Sequence, residues 1–334
     1  MKRSISRAWH ALHSAIRYVW HPHSSPVATS VQKRVDRPFV LTKCDYFVDV
    51  QVWPPETKLS PRAWLGNFTR EEEPYALQLL NAFLYFSEPL TDALLLGGVA
   101  DLTRLMVRPS ARYAQAQARW TDFIDSLIVT YPTGEVPSPT DSGFAFARKA
   151  RQVLGIPEER ILSPDETLVL LMRRGPRPIL FLDDFLGSGS QFVRTWHRVY
   201  PTPVGDLAFA TIQSSLNFDA YYVPLIAAEL GADHIKAQAP SVTVMPTHRL
   251  PPEYSALHRE SLIWPAELRG SAAQVIEQAS RRAGIPDTGG TTPEDWRGFA
   301  ELGLCLAFFH SVPDATLPLF YWEENDWKPL VRRV

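Results

Sequence analysis

The chain has 334 residues, 45% hydrophobic and 21% charged, with a formal net charge of -2. That length holds one large domain or two ordinary ones, and the balance argues against both a disordered chain and a membrane protein. The run that comes nearest to a bilayer span, LGLCLAFF before His310, is far shorter than the roughly 18 apolar residues required.

The first 35 residues form a basic segment with no acid before Asp36. Ile5, Trp9, Leu12, Ile16, Val19 and Trp20 recur at helical spacing, so residues 4–20 read as a basic amphipathic helix, either peripheral or lying on a surface or partner. Residues 36–119 form a helical lead-in. In TREEEPYALQLLNAFLYF, Thr69 is the N-cap with Glu72 three positions on, and a second helix is expected from Pro89 to Met106.

From 120 to 245 the pattern changes to short apolar runs, DSLIVTYP, LVLLM, PILFLDD, LAFATI and HIKAQA, separated by helical stretches. This is the rhythm of a parallel α/β sheet. Residues 246–334 form a C-terminal α/β extension packed on that core. Within it SAAQVIEQASRRAG is a helix stopped by Gly284, TTPEDWRGF begins another with Thr292 as cap, and two apolar segments flank a Pro/Asp turn. Cys44 and Cys305 lie in no CxxC or Cys/His spacing, which fits a reduced, cytoplasmic chain without structural zinc.

The residues that carry chemistry are Ile179 to Gln191, ILFLDDFLGSGSQ. An apolar strand ends in two acids, Asp183 and Asp184. Phe185 and Leu186 come next, then the small loop Gly187, Ser188, Gly189 and Ser190, and a helix expected from Gln191 to Tyr200. Glycines let successive N–H groups face one anion, and the helix start adds its positive dipole end. Serine hydroxyls donate to the same anion, while carboxylates at the strand end suit the vicinal hydroxyls of a ribose. The ligand this order fits is a ribose 5-phosphate.

FLDDFLGSGSQ is similar to the phosphoribosyl-diphosphate signature of type I phosphoribosyltransferases. The chain more closely resembles the phosphoribosyltransferase-like proteins of bacterial conflict and defence systems. The shared segments are this loop, YYVPLIAAELGA (residues 221–232), HSVPDATLPLFYWEENDWKPL (residues 310–330) and the helical lead-in. The resemblance implies a parallel-sheet, Rossmann-like core. Asp183 and Asp184 would hold the ribose, and Phe185 to Gln191 would bind the phosphoribosyl group. Magnesium would arrive on the substrate, with no direct protein ligands predicted. TYPTGEVPSPTDSG, residues 130–143, is the best candidate for a pyrophosphate-binding loop.

The function so implied is binding of phosphoribosyl diphosphate or a related nucleotide, with phosphoribosyl transfer to a base or other acceptor, alongside a protein partner from a defence operon. The alternative is a noncatalytic sensor or interaction module. A receiver domain would need a further aspartate at a later strand end, and a haloacid-dehalogenase phosphatase needs acids at alternate positions, which Phe185 breaks. TGGTT at Thr288 to Thr292 has no strand leading into it and reads as a turn, and His310 reads as a structural residue. Phe320, Tyr321, Trp322 and Trp327 read as core rather than base-stacking residues, and direct nucleic-acid binding is not expected.

Overall fold

A computed structural model describes residues 34–106, 112–134 and 142–333. The N-terminal amphipathic segment and most of the TYPTGEVPSPTDSG loop lie outside the described residues. The lead-in begins with α1 (Arg37–Asp49), where Asp36 accepts the Phe39 N–H at 2.8 Å as the N-cap. After α2 (Pro61–Leu65) comes α3 (Glu73–Ala82). Thr69 and Glu72 exchange the reciprocal bonds of a capping box just before it, at 3.3 and 2.9 Å. The end of the expected helix is instead a strand, β1 (Leu84–Phe86), followed by α4 (Glu88–Asp101), α5 (Thr103–Met106) and α6 (Tyr113–Ser126).

The sheet that positions the site is parallel throughout. Its strands are β2 (Ile128–Thr130) and β3 (Ile179–Leu186), then, beyond the short antiparallel hairpin β4 (Tyr200–Thr202) and β5 (Gly205–Leu207), the strands β6 (Ala220–Ala228), β7 (Val242–Val244) and β8 (His248–Leu250). Their order is β2-β3-β6, with β7 beside the start of β6 and β8 beside its end. Strand β3 is therefore central, with Ile128 opposite Ile179 on one side and Ile179 opposite Ala220 on the other. The helices between are α7 (Ser142–Val153), α8 (Pro164–Arg174), α9 (Ser190–His197), α10 (Phe209–Leu216) and α11 (Glu229–Gln238). The fold is mixed α/β, built on a parallel, Rossmann-like sheet.

Three of the expected strands are helices. LVLLM lies in α8, because Ser163 and Glu166 form a capping box and Thr167, Leu168 and Leu171 bury one helical face. LAFATI, after Leu207 at the end of β5, enters α10, with Phe209 and Ile212 buried three positions apart, and HIKAQ closes α11, where Gly231, Ala232 and Ile235 are the buried face. Short apolar runs do not separate strand from helix on their own. Among the strands not anticipated is β6, whose nine residues are all buried despite Pro224. Proline in a central strand ordinarily argues against one. Here the β3 ladder skips a position, pairing Asp183 with Pro224 and resuming at Phe185 and Ile226.

Side chains alternate across β3. Ile179 and Phe181 enter one apolar core with Phe192, Trp196 and Tyr222, while Leu180 and Leu182 enter another with Phe146 and Val223. A third core joins the lead-in to the C-terminal extension. In it Trp64 stacks on Phe320 with ring centroids 5.2 Å apart, and Phe68 meets Trp327 edge-on at the same distance. The extension contributes α12 (Ala266–Ala283), capped by Gly284 at φ +77°, and β9 (Leu306–Phe308), which pairs in parallel with β1. No helix begins at Thr292: the Asp295 carboxylate takes the Thr288 hydroxyl at 3.1 Å and the Arg297 N–H at 2.9 Å, local bonds that hold a turn instead. Cys44 and Cys305 are buried free thiols.

Candidate phosphoribosyl site

The carboxyl end of β3 runs straight into the Gly-Ser loop and α9, the place where open α/β sheets bind ligands. A cavity of about 560 Å³ opens there, and every residue from Asp184 to Gln191 lines it. Gly134, Arg194 and Thr291 contribute from other segments, and Ser311 to Ala315 form the facing wall. The volume suits a nucleotide-sized ligand, within the range of about 300–1,000 Å³ usual for small-molecule sites.

The loop conformation has identifiable supports. Ser188 Oγ accepts the Ser190 N–H at 3.3 Å and lies 3.1 Å from Ser190 Oγ, which draws both hydroxyls to the start of α9. His234 of α11 donates from Nδ1 to Ser188 O at 2.8 Å. Gly189 has φ +80°, and a Cβ on it would sit 2.8 Å from Gly231 O. A Cβ on Gly231 would lie 2.2 Å from Gly187 O. The two glycines thus let α11 and the loop touch through their backbones, so the first obstruction to a side chain at Gly189 is protein.

The two acids part company. Strand alternation turns Asp183 to the Tyr222 side, where it accepts the tyrosine hydroxyl at 3.0 Å, and it is absent from the cavity lining. Burial, with the charge of Asp184 adding to it, pushes the Asp183 carboxyl well above the usual range. Asp184 lies on the cavity floor. Its Oδ2 accepts from His310 Nε2 at 2.9 Å and from Ser311 Oγ at 3.0 Å. Burial opposes its ionisation, but the hydrogen bond and charge of His310, with bonds from Ser311 and Asp183, outweigh it and hold Asp184 below the usual carboxylate range.

Ser311 is thus a lining residue that sequence reasoning does not single out, and His310, expected to be structural, hydrogen-bonds the Asp184 carboxylate. The segment HSVPDATLPLFYW is visible as a motif, but no spacing links it to Asp184, 126 positions earlier in the chain. Among the described residues His310 Nδ1 is buried without a hydrogen-bond partner, beside the Phe309 ring at 4.6 Å. Tyr131 to Gly134, the start of the expected pyrophosphate loop, are held by α9 and by Arg198 just beyond it. Thr195 Oγ1 accepts the Thr133 N–H at 3.0 Å, and Arg198 donates to Thr133 Oγ1 at 2.8 Å and to Gly134 O at 2.5 Å. Thr291 of TGGTT, a plain turn by sequence, lines the same cavity. The tail aromatics do not: Trp322 and Trp327 pack in the third core and donate from Nε1 to Ala283 O and Leu319 O, each at 2.9 Å.

A central parallel strand ending in an acidic pair and a Gly-Ser loop, at the mouth of a nucleotide-sized cavity, defines a phosphoribosyltransferase-like α/β protein. The family model PRTase-CE matches residues 61–333, and the chain belongs to that family. Among solved structures, the AQ2163 protein from Aquifex aeolicus is similar over 66% of this chain and 87% of its own, at 13% identity and a TM-score of 0.26, too loose a likeness to add to the fold. No curated protein sequence matches the chain.

Proposed function

We propose that the cavity binds phosphoribosyl diphosphate or a phosphoribosyl-bearing nucleotide, with the 5-phosphate on the Gly187 to Gln191 loop and the ribose over Asp184. The observation that carries this reading is the convergence of the loop, the start of α9 and the ionised Asp184 on one cavity. Magnesium would enter with the diphosphate, its shell completed by substrate oxygens and retained waters. In a transfer reaction the diphosphate leaves C1 as positive charge develops on the ring, and an ionised Asp184 near the ribose would stabilise that charge.

A sensor without turnover is the second reading, and a specific observation favours it. Asp184 Oδ2 is already satisfied by His310 and Ser311, and Asp183, outside the cavity lining, accepts the Tyr222 hydroxyl, so the pair is engaged by its own chain. A protein partner, and work in bacterial defence, belong to the same proposal and rest on the resemblance of the loop and tail motifs. Calorimetry with phosphoribosyl diphosphate and magnesium tests the site, and no heat up to millimolar ligand overturns it. Release of pyrophosphate with any base in a panel decides for transfer, and binding without release decides for the sensor.

A further inference from the structure

A second cavity, of about 800 Å³, opens at the opposite end of the sheet. It is bordered by Ile128, the first residue of β2, and by Arg177, two residues before β3. Strand β3 separates this end from the Gly-Ser loop by about 23 Å at 3.3 Å per residue. The cavity is therefore independent of the phosphoribosyl site.

Its walls are polarised. Arg173 and Arg174, at the end of α8, and Arg177 stand at one end, and none of the three has a hydrogen bond or ion pair with a described residue. Asp165 and Glu166 stand at the other, bound to Ser163 in the helix cap, and Glu159 and Arg160 also line the cavity. Eight positions of helix separate the two groups, about 12 Å of rise, which exceeds the Debye length of about 8 Å at physiological salt. Asp165 and Glu166 consequently do not neutralise the arginines. Complementing the helix dipole accounts for Arg173 and Arg174 but not for Arg177, which lies beyond the helix. The chain as a whole carries a net charge of -2, so a general basic excess does not explain the cluster either.

We infer that this cavity is a second ligand site, one for a nucleoside polyphosphate. Unpaired guanidiniums within five positions of each other match phosphate oxygens through bidentate hydrogen bonds. The partly buried side chains of Val169 and Leu170 give the space between an apolar wall for a base, and Asp165 and Glu166 can accept from its amino groups. The concave form and nucleotide-like volume distinguish the site from the flat basic strip that a long nucleic-acid strand requires.

The test is calorimetry on the full chain with ATP as probe, beside inorganic tripolyphosphate and a single-stranded oligonucleotide. ATP should bind one equivalent at submillimolar concentration, at least tenfold more tightly than tripolyphosphate. Arg173→Ala with Arg177→Ala should weaken ATP at least tenfold at an unchanged melting temperature, since both side chains leave no partner behind. Ser188→Ala should leave this binding intact, which separates the result from the fate of the phosphoribosyl reading. Silence to millimolar ATP overturns the inference, as does equal binding by the arginine variant. Loss of ATP binding on Ser188→Ala alone would place the nucleotide in the other cavity, and an oligonucleotide that binds where ATP is silent, and is lost with the arginine variant, would overturn the inference and make the surface a nucleic-acid path.

Discussion

Asp184 Oδ2 accepts hydrogen bonds from His310 Nε2 and Ser311 Oγ at 2.9 and 3.0 Å, and this pair of contacts fastens the C-terminal extension to the end of the central strand. A buried carboxylate is tolerated only where such donors replace water. The wall of the candidate site and the charge on its floor therefore depend on the same atoms.

Replacing His310 by alanine should cost about 1.5–3 kcal/mol of stability, the range for a hydrogen bond to a charged group. His310→Gln retains a donor and should recover part of it. Thermal melts of the two variants check this, and equal loss in both would mean that ring packing against Phe146 and Phe309, not the bond to Asp184, is what matters.

Asp183 and Asp184 should respond oppositely to amide substitution. Asp183 binds its proton more tightly folded than unfolded, so its contribution is fully present below the unfolded carboxylate range of about 4 and declines as pH rises above it. Asp183→Asn removes that decline, and its melting temperature should gain on the wild type between pH 4 and 7. Asp184 has a lowered value, so its contribution is present above that range and is lost as pH falls. Asp184→Asn should destabilise at pH 7 and approach the wild type in acid. Parallel curves for the two variants would contradict the assignment of charge.

Gly189→Val and Gly231→Ala should both impair folding rather than selectively remove ligand binding. Each places a Cβ inside contact distance of backbone, and Gly189 adds a left-handed φ that valine resists. Ser188→Ala is the complementary probe. It should weaken phosphoribosyl diphosphate by about 0.5–1.5 kcal/mol with little change in melting temperature, measured by calorimetry and melts on the same preparations.

Trp327→Ala should lower stability by about 3–5 kcal/mol, the usual cost of emptying a buried tryptophan site. The side chain is 5% exposed, and its indole donates to Leu319 O. Ligand affinity, corrected for the unfolded fraction, should be unchanged, because the residue is outside the cavity lining.

The Gly-Ser loop is legible in the sequence because its pattern is local: strand, acids, glycines and helix are contiguous from Ile179 to His197. The contacts that escape such a reading are non-local. His310 and Tyr222 acquire their roles from strand pairing and from the β1–β9 contact, which no period in the sequence reveals. Alternation along β3 does imply that neighbouring acids diverge, whereas the motif by itself presents the two as one ribose clamp. LVLLM shows the reverse case, where Ser163 and Glu166 announce a helix that an apolar run disguises.

The bond between residues 184 and 310 also sets an order of events during synthesis. At about 5–20 residues per second, a translating ribosome needs roughly 6–25 s to add the 126 positions between them. Through that interval the nascent loop exists without its facing wall, and Asp184 has neither donor. The cavity can close only once residues 310–315 have been added, so a copy terminated before them would carry the signature sequence and lack the facing wall.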